Sequence, residues 1–236
     1  MVGVDPLITS AANPRLKLVR KLESGRQRRK LGLFVVEGED LVEAGLAAGL
    51  EPVDLLRAEE DVEARLLATV SGLPHPPRVV AVFRTADLPR AEPSTTSPLG
   101  LALWRVADPG NVGTLIRCAD AFGAFIALSR GCADPTSPRA LRGSAGAVFR
   151  VSLLDFEEAP GPRIGLVAHG GVPLAEAQLP ERATFVLGAE REGVPPDVLG
   201  GCEAAVSIPI AEAAESLNVA AAGAIALYEW SRRHVR

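Results

Sequence analysis

Apolar positions fall in short blocks along this chain, and their spacing alternates between a helical period and a strand period. Leu16, Val19 and Leu22 lie three apart behind Thr9-Ser10-Ala11-Ala12-Asn13-Pro14, which predicts a helix with a polar entry that ends near Ser24-Gly25. Residues 33–36 are uniformly apolar and read as a buried strand. Glu37-Gly38-Glu39-Asp40 then leads into a helix carrying Leu41, Val42, Ala44, Leu46 and Ala47. Strands at 53–56 and 79–83 flank a helix at 62–70, which predicts a small α/β unit. Beyond it, strands at 99–106, 125–128, 151–154, 164–168, 185–187 and 206–208 alternate with helices at 114–122, 138–147 and 217–233. That βα alternation predicts a second α/β unit with a mostly parallel sheet. The stretch 89–98, rich in Pro, Ser and Thr, reads as a linker and places a boundary near residue 95, giving units 1–95 and 96–236.

Composition narrows the class. A chain of 236 residues that is 47% hydrophobic can bury one large or two modest cores, and no apolar run is long enough to span a bilayer. Met1-Val2-Gly3-Val4-Asp5-Pro6 has neither the basic start nor the apolar centre of a signal peptide. Cys118, Cys132 and Cys202 form no CxxC pair, so free, buried thiols in a reducing cytoplasm are expected. His75, His169 and His234 have no metal-ligand spacing, and no metal is expected.

The net charge of −4 conceals an asymmetry. Residues 1–36 carry eight basic side chains against two acidic ones, a local charge of +6. Arg15, Lys17, Arg20, Arg26, Arg28, Arg29 and Lys30 stand among them. Such a run is either a solvated helix face or a footprint for a polyanion, and composition alone leaves both open.

Three strand-to-helix junctions carry the candidate chemistry. Asp108-Pro109-Gly110-Asn111-Val112-Gly113 follows the first strand of the second unit, and its glycines would let backbone approach a ligand. Arg117, one turn past Gly113, would reach toward the same loop as Asn111. The block is neither a Walker loop nor a complete GxGxxG fingerprint. Leu187-Gly188-Ala189-Glu190-Arg191-Glu192-Gly193 places Glu190 at a strand's carboxyl end, where open α/β sheets bind ligands. The third junction, 208–219, offers Ser216 as a helix cap and Asn218 in the first turn of an Ala-rich helix. The small residues of that helix would permit close packing against a neighbouring helix or a second subunit.

In order and spacing, these blocks resemble the SpoU/TrmH branch of the SPOUT methyltransferases, across roughly residues 99–233. These enzymes move a methyl group from S-adenosylmethionine to a ribose 2′-hydroxyl in RNA. The segment Phe34-Val35-Val36-Glu37-Gly38, with Leu41 to Gly45, is similar to the ribosomal-protein-like RNA-binding domain that accompanies the family. The resemblance implies a deep C-terminal trefoil knot, a homodimer through the knotted unit, and RNA contact by the basic N-terminus. It implies backbone contacts to the cofactor from Gly188, Ile208 and Leu217, with Leu187, Pro209 and Asn218 beside them. Arg117, Asn111, Glu190, Ser216 and Asn218 are its implied catalytic set. Ala189, Arg191 and Glu212-Ala213 depart from the family's usual residues at the site's rim.

Methyl transfer from a sulfonium is an in-line displacement, in which alignment contributes up to roughly 7–11 kcal/mol in favourable models. The family's usual proposal makes Arg117 the base. A guanidinium with a pKa above about 12 is poorly suited to that, so the expected role is a clamp on the hydroxyl and adjacent phosphate. Ribosomal RNA is the expected substrate. Transfer RNA, a catalytically silent RNA-binding scaffold and a dinucleotide-dependent enzyme are the alternatives.

Overall fold

A computed structural model describes residues 6–73, 75–92 and 97–234. The expected boundary near residue 95 lies outside the described residues. Helix α1, Pro14–Leu22, opens at Asn13, whose side chain accepts from the Arg15 backbone N–H at 2.9 Å. Pro14 sits where its missing N–H costs nothing, and Leu16, Val19 and Leu22 face inward. The chain does not stay irregular after Ser24. It restarts at once as α2, Gly25–Leu31, which ends at Gly32 with φ +64°. No apolar period announced α2, because its buried residue is an arginine, Arg28.

Strand β1, Leu33–Glu37, is followed by α3, Glu39–Ala47, β2, Asp54–Arg57, α4, Ala64–Ala68, and β3, Val79–Arg84. The three strands form an antiparallel sheet in the order β1-β3-β2. Leu16, Val19 and Leu22 pack on one of its faces with Val35, Val80 and Val82. Its other face supplies Phe34 and Phe83 to a different core.

The second sheet has seven strands. They are β4, Leu99–Leu103; β5, Phe125–Leu128; β6, Leu153–Asp155; β7, Arg163–Val167; β8, Val172–Pro173; β9, Ala183–Leu187; and β10, Ala204–Ser207. Their order is β6-β5-β4-β9-β7-β10-β8, and every neighbouring pair is parallel. Parallel pairing puts all the carboxyl ends on one edge, so the loops after β4, β7, β9 and β10 gather there. Helices α5, Pro109–Ala121, α6, Pro138–Ser144, α7, Pro196–Leu199, and α8, Val219–His234, complete the unit.

Two helix starts differ from expectation. Helix α5 begins at Pro109 rather than Thr114, because Asp108 caps it: its Oδ1 accepts from the Asn111 backbone N–H at 3.0 Å. Gly113 is therefore helical, and it serves packing instead of ligand approach. A Cβ there would lie 2.3 Å from the Ala140 carbonyl oxygen of α6. Helix α8 begins at Val219, so Ser216 is not its cap. Asn218 takes that role, its Oδ1 accepting from the N–H groups of Ala220 at 2.9 Å and Ala221 at 3.3 Å. The small residues of α8 pack within the chain: a Cβ on Gly223 would meet Leu115 at 2.4 Å and Leu187 at 3.1 Å. The thiols of Cys118, Cys132 and Cys202 are free but half-buried, not fully enclosed.

The two sheets share a core. Phe34 and Phe83 from the first meet Phe149, just after α6, with ring centroids 6.1–6.4 Å apart. Arg28 adds a polar lock and corrects its assignment as an RNA contact. It is 5% exposed, and its guanidinium donates to the Leu22 and Glu23 carbonyls and to Asp134 Oδ2. Asp134 belongs to the loop before α6 and also accepts from Thr136. Removing one partner of a buried pair leaves an uncompensated charge. Asp134→Ala is expected to cost about 2 kcal/mol, between the values for exposed and buried pairs, because Asp134 is half-buried and the carbonyl acceptors of Arg28 remain. Urea unfolding measures this, and an unchanged midpoint would show the lock to be idle.

Candidate active site

A cavity of about 490 Å³ opens at the carboxyl edge of the parallel sheet. Its walls come from 166–169 at the end of β7, 187–191 and Gly193 at the end of β9, Ile208 and Ile210 after β10, and the entry to α8. Leu166, Leu187, Ile208 and Leu217 give it apolar surface, while Glu190, Arg191, Glu215, Ser216 and Asn218 bring polar groups. This size and mixture suit a small organic molecule with both apolar and charged groups.

Gly188 is required by close backbone contact. A Cβ there would fall 1.9 Å from the Gly193 carbonyl carbon and 2.2 Å from the Val194 nitrogen. The loop folds back on itself through Gly193 N–H donating to the Ala189 carbonyl at 2.9 Å, with Gly193 at φ +67°. That turn presents Glu190 toward the first junction.

One side chain ties the three junctions together. The Nδ2 of Asn111 donates to Glu190 Oε1 at 3.0 Å, and its Oδ1 accepts from Asn218 Nδ2 at 3.0 Å. Asn218 in turn caps α8 through its own oxygen. Glu190 also accepts from the backbone N–H groups of Asp108 at 3.1 Å and Ala107 at 3.3 Å. The loop after β9 is thereby bonded to the end of β4, and the end of β4 to the start of α8.

The expected site residues do not all meet. Leu187, Gly188, Ile208, Leu217, Glu190, Ser216 and Asn218 line the cavity, and Asn111 stands beside it through its two bonds. Pro209 is exposed and is not part of the lining. Arg117 does not line it either; it is exposed and makes no side-chain hydrogen bond or ion pair among the described residues. Six helical residues turn about 240°, so Asn111 and Arg117 point to different sides of α5, contrary to the expectation of a common loop. The segment Leu166–His169 was missed as a cavity wall. Its signal was present, since a strand was expected there and ligands gather at carboxyl ends.

Of the remaining basic candidates, Arg15 pairs with Asp54, and Arg20 donates to the Ala11 carbonyl and to Thr69 Oγ1. Lys17, Arg26, Arg29 and Lys30 are exposed.

Two forces act on Glu190. Burial pushes its pKa up, while the Asn111 amide and the N–H groups of Glu190, Asp108 and Ala107 pull it down, and the outcome is a carboxyl below its ordinary value. The bonded form is the charged one. Its stabilisation is present above the ordinary carboxylate pKa and lost as pH falls through the depressed value. Wild type and Glu190→Gln are therefore expected to differ in stability at neutral pH and to converge on acidification. Urea unfolding across pH checks this, and a constant gap would contradict it.

An open parallel α/β sheet with a ligand-sized cavity at its carboxyl edge is the architecture of a protein that binds a small molecule there. Comparison with known proteins makes the assignment specific. The SpoU rRNA methylase family model matches residues 98–228, and a model of the MRM3-like substrate-binding domain matches residues 13–82. The chain belongs to the SpoU rRNA methylase family. It is 36% identical to an uncharacterised tRNA/rRNA methyltransferase of Synechocystis, over 96% of this chain and 93% of that protein. It is 31% identical to the 23S rRNA (guanosine-2′-O)-methyltransferase RlmP of Bacillus subtilis, over 94% of this chain and 97% of that one. Among solved structures, the AdoMet-bound rRNA methyltransferase from Sinorhizobium meliloti superposes with a TM-score of 0.87 at 27% identity, covering 98% of this chain and 99% of its own. The SpoU methyltransferase AviRb from Streptomyces viridochromogenes, in complex with AdoMet, gives 0.80 at 25% identity, covering 95% and 99%.

Proposed function

We propose that this protein methylates a ribose 2′-hydroxyl in ribosomal RNA, using S-adenosylmethionine held in the cavity at the carboxyl edge. The observation that carries this reading is the bonded trio Glu190–Asn111–Asn218 at the rim of a cavity sized for that cofactor. Relatives named as 23S rRNA 2′-O-methyltransferases, aligned along nearly the whole chain or most of it, support the same reaction.

The residues present fit the cofactor. Leu166, Leu187, Ile208 and Leu217 offer apolar surface to its adenine, and Gly188, packed against the Gly193–Val194 backbone, lies in the cavity wall. Arg191 and Glu215, of opposite charge, can receive the carboxylate and ammonium of its methionine end. When bound, it supplies an electrophilic methyl group on a sulfonium. Asn111, Glu190, Ser216 and Asn218 orient that end and the ribose. The clamp on the hydroxyl and neighbouring phosphate falls to Arg117 through the family resemblance alone, since its exposed guanidinium lies outside this cavity with its donors unpaired.

This reading includes the trefoil knot implied by the family resemblance, wound through segments 187–194 and 208–219 around the cavity. It also includes a homodimer. Ile225 and Tyr228, three residues apart on α8, are exposed, as is Leu217 at the cavity, and an apolar stripe of that kind suits a second copy. RNA would be received by exposed Lys17, Arg26, Arg29 and Lys30, with Arg28 holding the fold and Arg15 and Arg20 partly engaged within it.

Incubation with labelled S-adenosylmethionine and undermodified ribosomal or transfer RNA, followed by nucleoside separation, tests the proposal. A labelled 2′-O-methylnucleoside from ribosomal RNA is expected, and Arg117→Ala is expected to abolish it while leaving cofactor affinity nearly unchanged. Label confined to transfer RNA would move the substrate assignment. A base-methylated product, or no label in either RNA, would overturn the reaction. Activity of Arg117→Ala within a few-fold of wild type would remove the clamp.

A further inference from the structure

Arg105 stands at the carboxyl end of β4, three residues before Asp108, and the function above gives it no task. Its φ is +53°, in the left-handed region that side-chain-bearing residues enter only at a cost. The surrounding hydrogen bonds impose that conformation. Trp104 N–H donates to the Leu187 carbonyl at 2.7 Å, Arg105 N–H to Ser129 Oγ at 2.8 Å, and Ala133 N–H to the Val106 carbonyl at 2.9 Å. Strain of this kind, held by its surroundings, concentrates at functional positions.

The side chain has a prepared seat. It lies across Gly131, itself at φ +97°, where a Cβ would come within 3.3 Å of Arg105 Cγ and 3.5 Å of its Nε. Yet the guanidinium is exposed and has no hydrogen bond or ion pair among the described residues. Arg28, Arg139, Arg150, Arg163 and Arg233 have protein acceptors, whereas Arg105 shares its unpaired state with Arg117 and Arg130 and differs from them in its strained backbone. A planar five-donor cation, positioned at a strained residue and left without a protein acceptor, matches a phosphate oxyanion.

Its neighbours extend the same charge. Arg130 is exposed beside Gly131, and the Arg28–Asp134 pair fastens α2 against this loop. Around Gly25, Arg29 Nη1 and Asp134 Oδ2 lie 3.5 and 3.9 Å from the place a Cβ would occupy, so Arg29 adjoins the loop as well. Arg29 on α2, Arg130 on this loop and Arg105 beyond β4 thus place three exposed cations on neighbouring segments.

We propose that substrate RNA follows this track, and that Arg105 grips the backbone phosphate adjoining the ribose presented at Asn111. The proposal rests on the RNA-methylating reading and adds the residue that sets the strand's register. Arg105→Gly tests it cleanly, because glycine is at home at positive φ and the variant loses the side chain while relieving the strain. The probe is 23S ribosomal RNA transcribed in vitro, with binding measured over a salt series in the absence of methyl transfer. Relative to wild type, Arg105→Gly is expected to melt no lower, to bind S-adenosylmethionine equally, and to bind the transcript about fivefold more weakly near physiological salt. The slope of log affinity against log salt is expected to fall by about 0.7–0.9, the share of one phosphate contact. Arg105→Lys, which keeps the charge, is expected to restore most of that slope. Transcript affinity and slope equal to wild type in Arg105→Gly would overturn the proposal. A wild-type protein that binds the transcript but methylates nothing would count against the reaction alone, leaving the Arg105 comparison valid. A wild-type protein that fails to bind it would end both.

Discussion

The Asn111 side-chain amide is the contact on which this site depends. It has one donor face and one acceptor face, and each is used on a different junction: Glu190 after β9 and Asn218 at the head of α8. A carboxylate at 111 could not donate, and an aliphatic side chain could do neither. Geometry brings these groups within reach because β4 and β9 are adjacent and parallel, so their carboxyl ends share an edge. Asp108 then caps α5 and fixes the first turn from which Asn111 projects. Sheet pairing, helix capping and the cavity rim are successive consequences of one arrangement.

The N-terminal sheet belongs to the same mechanical unit. Phe34 and Phe83 meet Phe149 in a core that continues beneath α5 and the parallel sheet, and Arg28 reaches across to Asp134. A large apolar contact reinforced by a part-buried ion pair limits relative motion of the two sheets. The basic face of α2 is therefore presented at a fixed distance from the cavity. For an RNA methyltransferase that must choose one nucleotide in a long RNA, that rigidity is a means of measuring position.

Much of this was legible in the chain itself. The βα alternation marked the parallel sheet, and polar residues at the carboxyl ends of three strands marked the site. The errors have specific causes. Helix α2 has no apolar stripe because an arginine fills its inward position, so periodicity was silent. Asp108-Pro109 sits in a Gly-containing stretch that suggests a loop, although aspartate followed by proline is also a capped helix start. Ser216 and Asn218 are both good caps, and only the fold shows that Asn218 takes the role. The inward turn of Arg28 depends on Asp134, more than a hundred residues away. No local pattern carries a pairing of that range. The angle between Asn111 and Arg117 followed from the helix start, so misplacing that start misplaced the arginine.

The most direct test of the account is Asn111→Asp, which preserves the shape of the side chain but removes the donor that Glu190 accepts. Calorimetric titration with S-adenosylmethionine and a melting curve of the same sample give the decisive comparison. A folded protein whose cofactor affinity is at least about tenfold weaker is expected, since about 1.4 kcal/mol of lost alignment suffices for that. Wild-type affinity in the folded variant would show that the three junctions assemble without Asn111, and would contradict the central claim.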